Sequence, residues 1–187
     1  MDANLRRQTL ADTLRRSANR VPNRLGLACG STRWTYRQLY EACERLAGGL
    51  AARGVRRGDK VALLSRNSHG FVALRYALMR LGAVMVPINF MLQADEIGFI
   101  LNHSGARMLA CDSGMAEVAR KAAAQAHYVT ELLWLPSEED TFPAEGMVSF
   151  HALLEAGGEA PGEGPKASTS PRSSIPAAPS LDPRGCS

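Results

Sequence analysis

An alternation constrains this chain more than any other feature. Short apolar runs, "VALL" at 61–64, "AVMVPIN" at 83–89, "ARMLACD" at 106–112 and "ELLWLP" at 131–136, are separated by longer stretches with apolar residues three and four positions apart. Runs of four to six apolar residues match strands covered on both faces, and the intervening period matches helices with one apolar stripe. Strand and helix in strict succession leave few solutions, of which a parallel sheet with right-handed crossover helices on its faces is the standard one. The expected fold class is therefore α/β, and "AVMVPIN" is expected to be a buried strand like the others.

The local signals agree with that frame. "TLADTLRRSANRVPNR" places Leu10, Leu14 and Val21 at near-helical spacing until Pro22 interrupts it. "RLGLACG" and "TRWTY" read as two β segments joined by a Gly-Ser turn. Thr35 is placed to cap the next helix, whose Leu39, Cys43, Leu46 and Leu50 form one stripe while Arg37, Glu41, Glu44 and Arg45 project elsewhere. Gly54 is placed to stop it. Ser68 is a second cap, ahead of a stripe of Phe71, Leu74, Leu78 and Leu81 that Gly82 closes. Further helices are expected over "QADEIGFILNHSG", "MAEVARKAAAQAH" and "FHALLEAG".

Bulk properties exclude more than they assign. An apolar fraction of 45% and a charged fraction of 21% are those of an ordinary soluble globular protein. The formal charge is +4, but Lys166, Arg172 and Arg184 against Asp182 supply two of these charges, so the body is close to neutral. The arginines are scattered without interleaved aromatics, which argues against a nucleic-acid partner. Cys29, Cys43, Cys111 and Cys186 form no CxxC pair and have no histidine at ligand spacing, so no metal site is expected and a reduced, cytoplasmic setting is. No apolar run reaches membrane-spanning length.

No residue declares itself a catalyst. His69, His103, His127 and His151 share no spacing and read as helix-surface or helix-end residues. Asn67 and Asp112 stand at the carboxyl ends of expected strands, where open α/β sheets place ligands, but capping of the next helix accounts for both. "GDK" at 58–60 lacks the clustered glycines of a phosphate loop, and the glycines of "AGGLAARG" sit inside a helical pattern, where close helix packing explains them. The residues thus nominate no catalytic, cofactor-binding or metal-binding side chain.

The order of segments adds a resemblance. "WTYRQL" at 34–39, "GVRRGDKVAL" at 54–63, "ALRYALMRLGAVMVPIN" at 73–89 and "NHSGARMLACD" at 102–112 resemble, in order and spacing, the N-terminal part of the AMP-forming acyl-CoA synthetases, over about Leu10 to Gly158. The resemblance implies a partial AMP-binding-enzyme domain at 1–158. For the parent family it implies activation of a carboxylic or fatty acid with ATP and Mg²⁺ to an acyl-adenylate, then transfer to coenzyme A. That family holds the triphosphate with a Ser/Thr/Gly-rich loop ending in Pro-Lys-Gly, and such a loop is missing from the chain as written.

Residues 159–187 are expected to be a disordered tail, since "TSPRSSIPAAPSLDPRGCS" offers little apolar surface against the entropy of ordering. The genetic code gives these residues a second meaning. Read one base earlier from Lys166 onward, Thr169, Ser170 and Pro171 allow Asp-Leu-Ala, and "IPAAPSLDPRG" at 175–185 allows "YTSGTESRPKG", the family's loop motif in its expected place. Cys186 and Ser187 then continue as Val-Leu. The expectation is a truncated synthetase whose frame shifts close to Pro165, inactive and without bound cofactor, and prone to aggregate through uncovered apolar surface. The competing expectation is a non-catalytic α/β binding or interaction module with a flexible Pro/Ser tail.

Overall fold

The structure, a computed structural model, describes residues 10–138, 143 and 145–158. The expected tail at 159–187 lies outside the described residues, as do the side chain of Leu10 and the site of Cys186. A first helix, α1 (Leu10–Arg20), leads into an antiparallel hairpin of β1 (Leu25–Cys29) and β2 (Thr32–Thr35). Then come α2 (Tyr36–Ala52), β3 (Lys60–Leu64), α3 (His69–Leu81), β4 (Val84–Pro87), α4 (Ala94–Ser104) and β5 (Met108–Cys111). A 3-10 turn over Ser113–Met115, α5 (Ala116–Ala123), β6 (Glu131–Trp134), β7 (Val148–Ser149) and α6 (Phe150–Ala156) complete the order.

Strands β3 to β7 form one parallel sheet in the order β4-β3-β5-β6-β7. The side chains of β3 divide between two cores in strict alternation. Val61 and Leu63 join Leu46, Leu50, Leu74 and Leu78 on the face covered by α1, α2, α3 and α6. Ala62 and Leu64 join Ile97, Leu101, Ala119 and Ala122 under α4 and α5. Each leucine in this interior contributes roughly 1.5–3 kcal/mol by leaving water. The α/β class is therefore that of a three-layer sandwich wound in both directions from β3.

The caps sit where the sequence places them. Thr35 Oγ1 accepts from Gln38 N at 3.3 Å, and Gln38 Oε1 accepts in return from Thr35 N at 2.9 Å, a reciprocal capping box. Ser68 Oγ accepts from Phe71 N at 3.1 Å, and Gly82, at φ 69°, ends α3 in the left-handed region. Between α2 and α3, the Glu44 carboxylate accepts from Arg80 Nε at 2.9 and 3.1 Å.

Two expectations change. "AVMVPIN" does not form a strand buried on both sides, because β4 is an outer strand of the sheet; Val84 is 46% exposed and Pro87, lacking an N–H, sits where no ladder needs one. The short β7 has no counterpart in the sequence reading, since two residues carry no periodicity. Beyond β4, Phe90, Met91 and, on α4, Phe99 are exposed, with Met91 at 74%. Lysine in place of both Met91 and Phe99 is expected to reduce dye-detected apolar surface and light scattering of the purified chain, leaving its circular dichroism unchanged.

The glycines of α2 serve the packing assigned to them. A Cβ on Gly49 would overlap the carbonyl oxygen of Leu153 in α6, and one on Gly48 would overlap that of Gly158. From the other side, a Cβ on Gly157 would overlap the carbonyl oxygen of Arg45. The helices meet backbone to backbone, so Gly49→Ala is expected to cost roughly 1–3 kcal/mol in urea unfolding. An unchanged midpoint would refute this account of the contact.

Candidate functional site

In a sheet wound both ways from one strand, ligands bind outside the carboxyl ends of the strands where the winding reverses. Here that point lies between β3, which continues to β4 on one side, and β5 on the other. It brings together Ser65, Arg66 and Asn67 after β3, Asn89 and Phe90 after β4, and Asp112 and Ser113 after β5.

The crevice is occupied by the protein's own bonds. Asp112, 3% exposed, accepts through Oδ2 from Ser65 Oγ at 3.0 Å and from Arg66 N at 2.9 Å. Its Oδ1 accepts from Met115 N at 3.1 Å. Both carboxylate oxygens are thus used to tie β3 to β5 and to cap the 3-10 turn, and the capping role read from the sequence is the one Asp112 plays. Trp134 Nε1 donates to Ser113 Oγ at 2.8 Å, which extends the tie to β6. The exposed Arg66 guanidinium lies 5.7 Å from the centroid of the Phe90 ring. Asn67 is exposed and does not cap α3; Ser68 does.

These residues do not fit a triphosphate with its metal. The carboxylate is spent on internal donors, and among the described residues no three of His, Cys, Asp and Glu gather where a cation could be held. Gly58, at φ 85°, belongs to a turn at the opposite end of β3, where Asp59 Oδ2 accepts from Arg56 N at 2.8 Å and Arg107 Nη1 at 3.1 Å. Two of the thiols, Cys43 and Cys111, are buried and unsuited to nucleophilic work. Burial pushes both Cys43 and Cys111 up to about 12, with the carboxylates of Glu44 and Asp112 adding to it.

The histidines fall at helix ends or beyond them, but one differs from expectation. His103 is in the last turn of α4, His127 follows α5 and His151 is exposed in the first turn of α6. His69 opens α3 and is only 8% exposed, packed edge-on to Trp34 at 5.4 Å, and its Nδ1 has no hydrogen-bond partner. Its ring packs on Trp34 of the hairpin, a contact that no local pattern records.

The comparisons with known proteins accord with this architecture. A family model described as AMP-binding enzyme matches residues 14–182. A long-chain-fatty-acid–CoA ligase of Mycobacterium tuberculosis, FadD13, is 44% identical over 130 residues, covering 68% of this chain and 25% of that protein. A peroxisomal benzoate–CoA ligase of Arabidopsis thaliana is 33% identical over 109 residues, covering 58% of this chain and 19% of the ligase. Among solved structures, the N-terminal domain of FACL13 from M. tuberculosis superposes with a TM-score of 0.70 at 32% identity, covering 82% of this chain and 38% of that one. An anthranilate–CoA ligase, AuaEII, shares the fold with a TM-score of 0.78 at 23% identity, covering 89% of this chain and 32% of the ligase.

The chain belongs to the AMP-binding enzyme family. Its matched stretch spans about a quarter of the length of the curated relatives, 19% to 27%. Within that family its relatives are acid–CoA and acid–carrier-protein ligases.

Asp112 can be tested as a structural tie. Asp112→Ala leaves the Arg66 amide without its acceptor, while the Ser65 hydroxyl keeps the Arg66 carbonyl and the Met115 amide keeps the carbonyl of residue 112; it is expected to cost roughly 1–3 kcal/mol in chemical unfolding. Equal stability of variant and parent would show that these bonds carry no weight.

Proposed function

We propose that this chain carries the scaffold segment of an AMP-forming acid–CoA ligase and that, as written, it does not catalyse the parent reaction. In that reaction a carboxylic acid, in the first instance a fatty acid, is activated by ATP to an acyl-adenylate and the acyl group passes to coenzyme A. The fatty-acid preference rests on the long-chain-fatty-acid–CoA ligase at 44% identity. A cytoplasmic location rests on Cys29, Cys43 and Cys111 being free thiols.

The observation that carries the proposal is the fate of the polar groups at the winding-reversal point. A carboxylate becomes a good electrophile only when its oxygen is made part of a leaving group, and the charge that develops on phosphate must be held by amides, cations or a metal. Asp112 and the amides of Arg66 and Met115 already satisfy one another. The holding groups must therefore come from other residues, and the string that "IPAAPSLDPRG" at 175–185 allows one base earlier, "YTSGTESRPKG", would supply them in one contiguous loop. On this reading the frame is displaced close to Pro165, and 159–187 is a translation of coding sequence out of register.

Two measurements test it. Sequencing of the coding DNA is expected to show an open frame, one base earlier from Lys166, that continues into a synthetase; a stop codon early in that frame would sink the proposal. In an ATP–pyrophosphate exchange assay with fatty acids, the chain as written is expected to give no exchange, and the polypeptide restored to the shifted frame is expected to give it. Exchange by the unrestored chain would overturn the assignment of inactivity.

A further inference from the structure

Two histidines and the chain's two tryptophans form a single seam. His69, at the start of α3, meets Trp34 of the hairpin edge-on with ring centroids 5.4 Å apart. His151, at the start of α6, lies against Trp134 of β6 at 5.8 Å and against Phe150 at 5.6 Å. The seam is where the hairpin, α3, α6 and the β6 exit converge, and the neighbouring Gly70 is pressed on Pro136, whose carbonyl oxygen would lie 2.8 Å from a Cβ.

From this arrangement we infer that His69 is an acid-sensitive latch that holds the β1–β2 hairpin to the sheet while its imidazole is neutral and releases it when it is charged. The physical basis is that His69 is 8% exposed, its Nδ1 has no acceptor and Trp34 presents only a ring. A buried cation needs a partner, and an indole offsets only part of its lost hydration. Burial, and secondarily the neighbouring His151, hold the His69 imidazole below its ordinary titration range.

The charged groups around the seam give no relief. On the β6 exit, the Glu138 carboxylate accepts from Gly30 N at 2.8 Å and from Cys29 Sγ at 3.8 Å. On β2, Arg33 Nη1 donates to the carbonyls of Gly30 and Thr32. From β5, Asp112 is taken by Ser65, Arg66 and Met115. On α3 beyond the Ser68 cap, Arg80 donates to Glu44 of α2. From α6, the neighbouring His151 offers no counter-charge and lowers the His69 titration point further. The sign follows directly: a histidine whose folded titration point is depressed stabilises the packed state above the unfolded point near pH ~6.5, and that contribution is lost as pH falls from there through the folded point.

Because each tryptophan touches one histidine, intrinsic fluorescence reads the latch, since a protonated imidazole quenches an adjacent indole. Titrating the full chain from pH 8 to 4.5 is expected to give a reversible fluorescence transition at higher pH than the loss of far-ultraviolet circular dichroism. Amide exchange of the hairpin is expected to rise about tenfold or more across the same interval, with β3 and β5 still protected. His151→Gln, at an exposed position, is expected to move the Trp34 transition upward by roughly half a pH unit, the size of a screened like-charge interaction. Trp134→Phe isolates the Trp34 signal for that comparison, and His69→Phe is expected to abolish it. A fluorescence transition coincident with global unfolding, or a Trp34 midpoint unmoved by His151→Gln, would overturn the inference. Should Trp134→Phe or His69→Phe fail to fold, hairpin exchange in His151→Gln alone decides the matter by the same shift.

Discussion

Burial of β3 on both faces is the condition on which the rest of the molecule depends. Val61, Ala62, Leu63 and Leu64 are each at most 1% exposed, and their side chains alternate between two cores, as those of β5 beside it do. A strand buried in this way must satisfy its backbone on two sides, so β4 and β5 flank it, and it must be covered above and below, so α2 and α3 take one face and α4 and α5 the other. The point at which the winding reverses is a consequence of the same strand having neighbours on both sides. The position of the crevice therefore follows from the burial of four residues.

That crevice is where the family relationship and the local chemistry have to be weighed together. A sheet of this topology offers strand ends and helix amino termini to a ligand, yet here Asp112 uses its charge to join Ser65, Arg66 and Met115. A buried carboxylate bonded to two backbone amides and a hydroxyl is a stabilising brace, because the bonds compensate the desolvation that burial imposes. Through Asp112 the ends of β3 and β5 and the turn over Ser113–Met115 are held as one unit.

Most of the frame was legible in the sequence because its signals are local. Thr35 and Ser68 cap helices by bonds to residues three positions on, and the runs at 61–64 and 108–111 are apolar at every position, so strand and cap identify themselves without tertiary information. What escaped depends on distant partners. "AVMVPIN" reads like a central strand, but its place at the margin of the sheet is set by which strands pair, and composition is silent on pairing. His69 reads as a helix end, which it is, yet it is buried and packs on Trp34, a residue distant in the sequence. The bonds that join Asp112 to Ser65 and Arg66 link residues 47 and 46 positions apart, and no local pattern announces them.

The contact between α2 and α6 reaches beyond stability. Gly48 and Gly49 admit the backbone of Leu153 and Gly158 where a side chain would stand, and Gly157 admits that of Arg45. The main chain at 157–158 is thereby fixed in place by contacts to its own backbone rather than by adaptable side chains. It follows that a substitution adding a side chain at Gly48, Gly49 or Gly157 displaces main chain against main chain, so that α2 and the end of α6 can be altered only together.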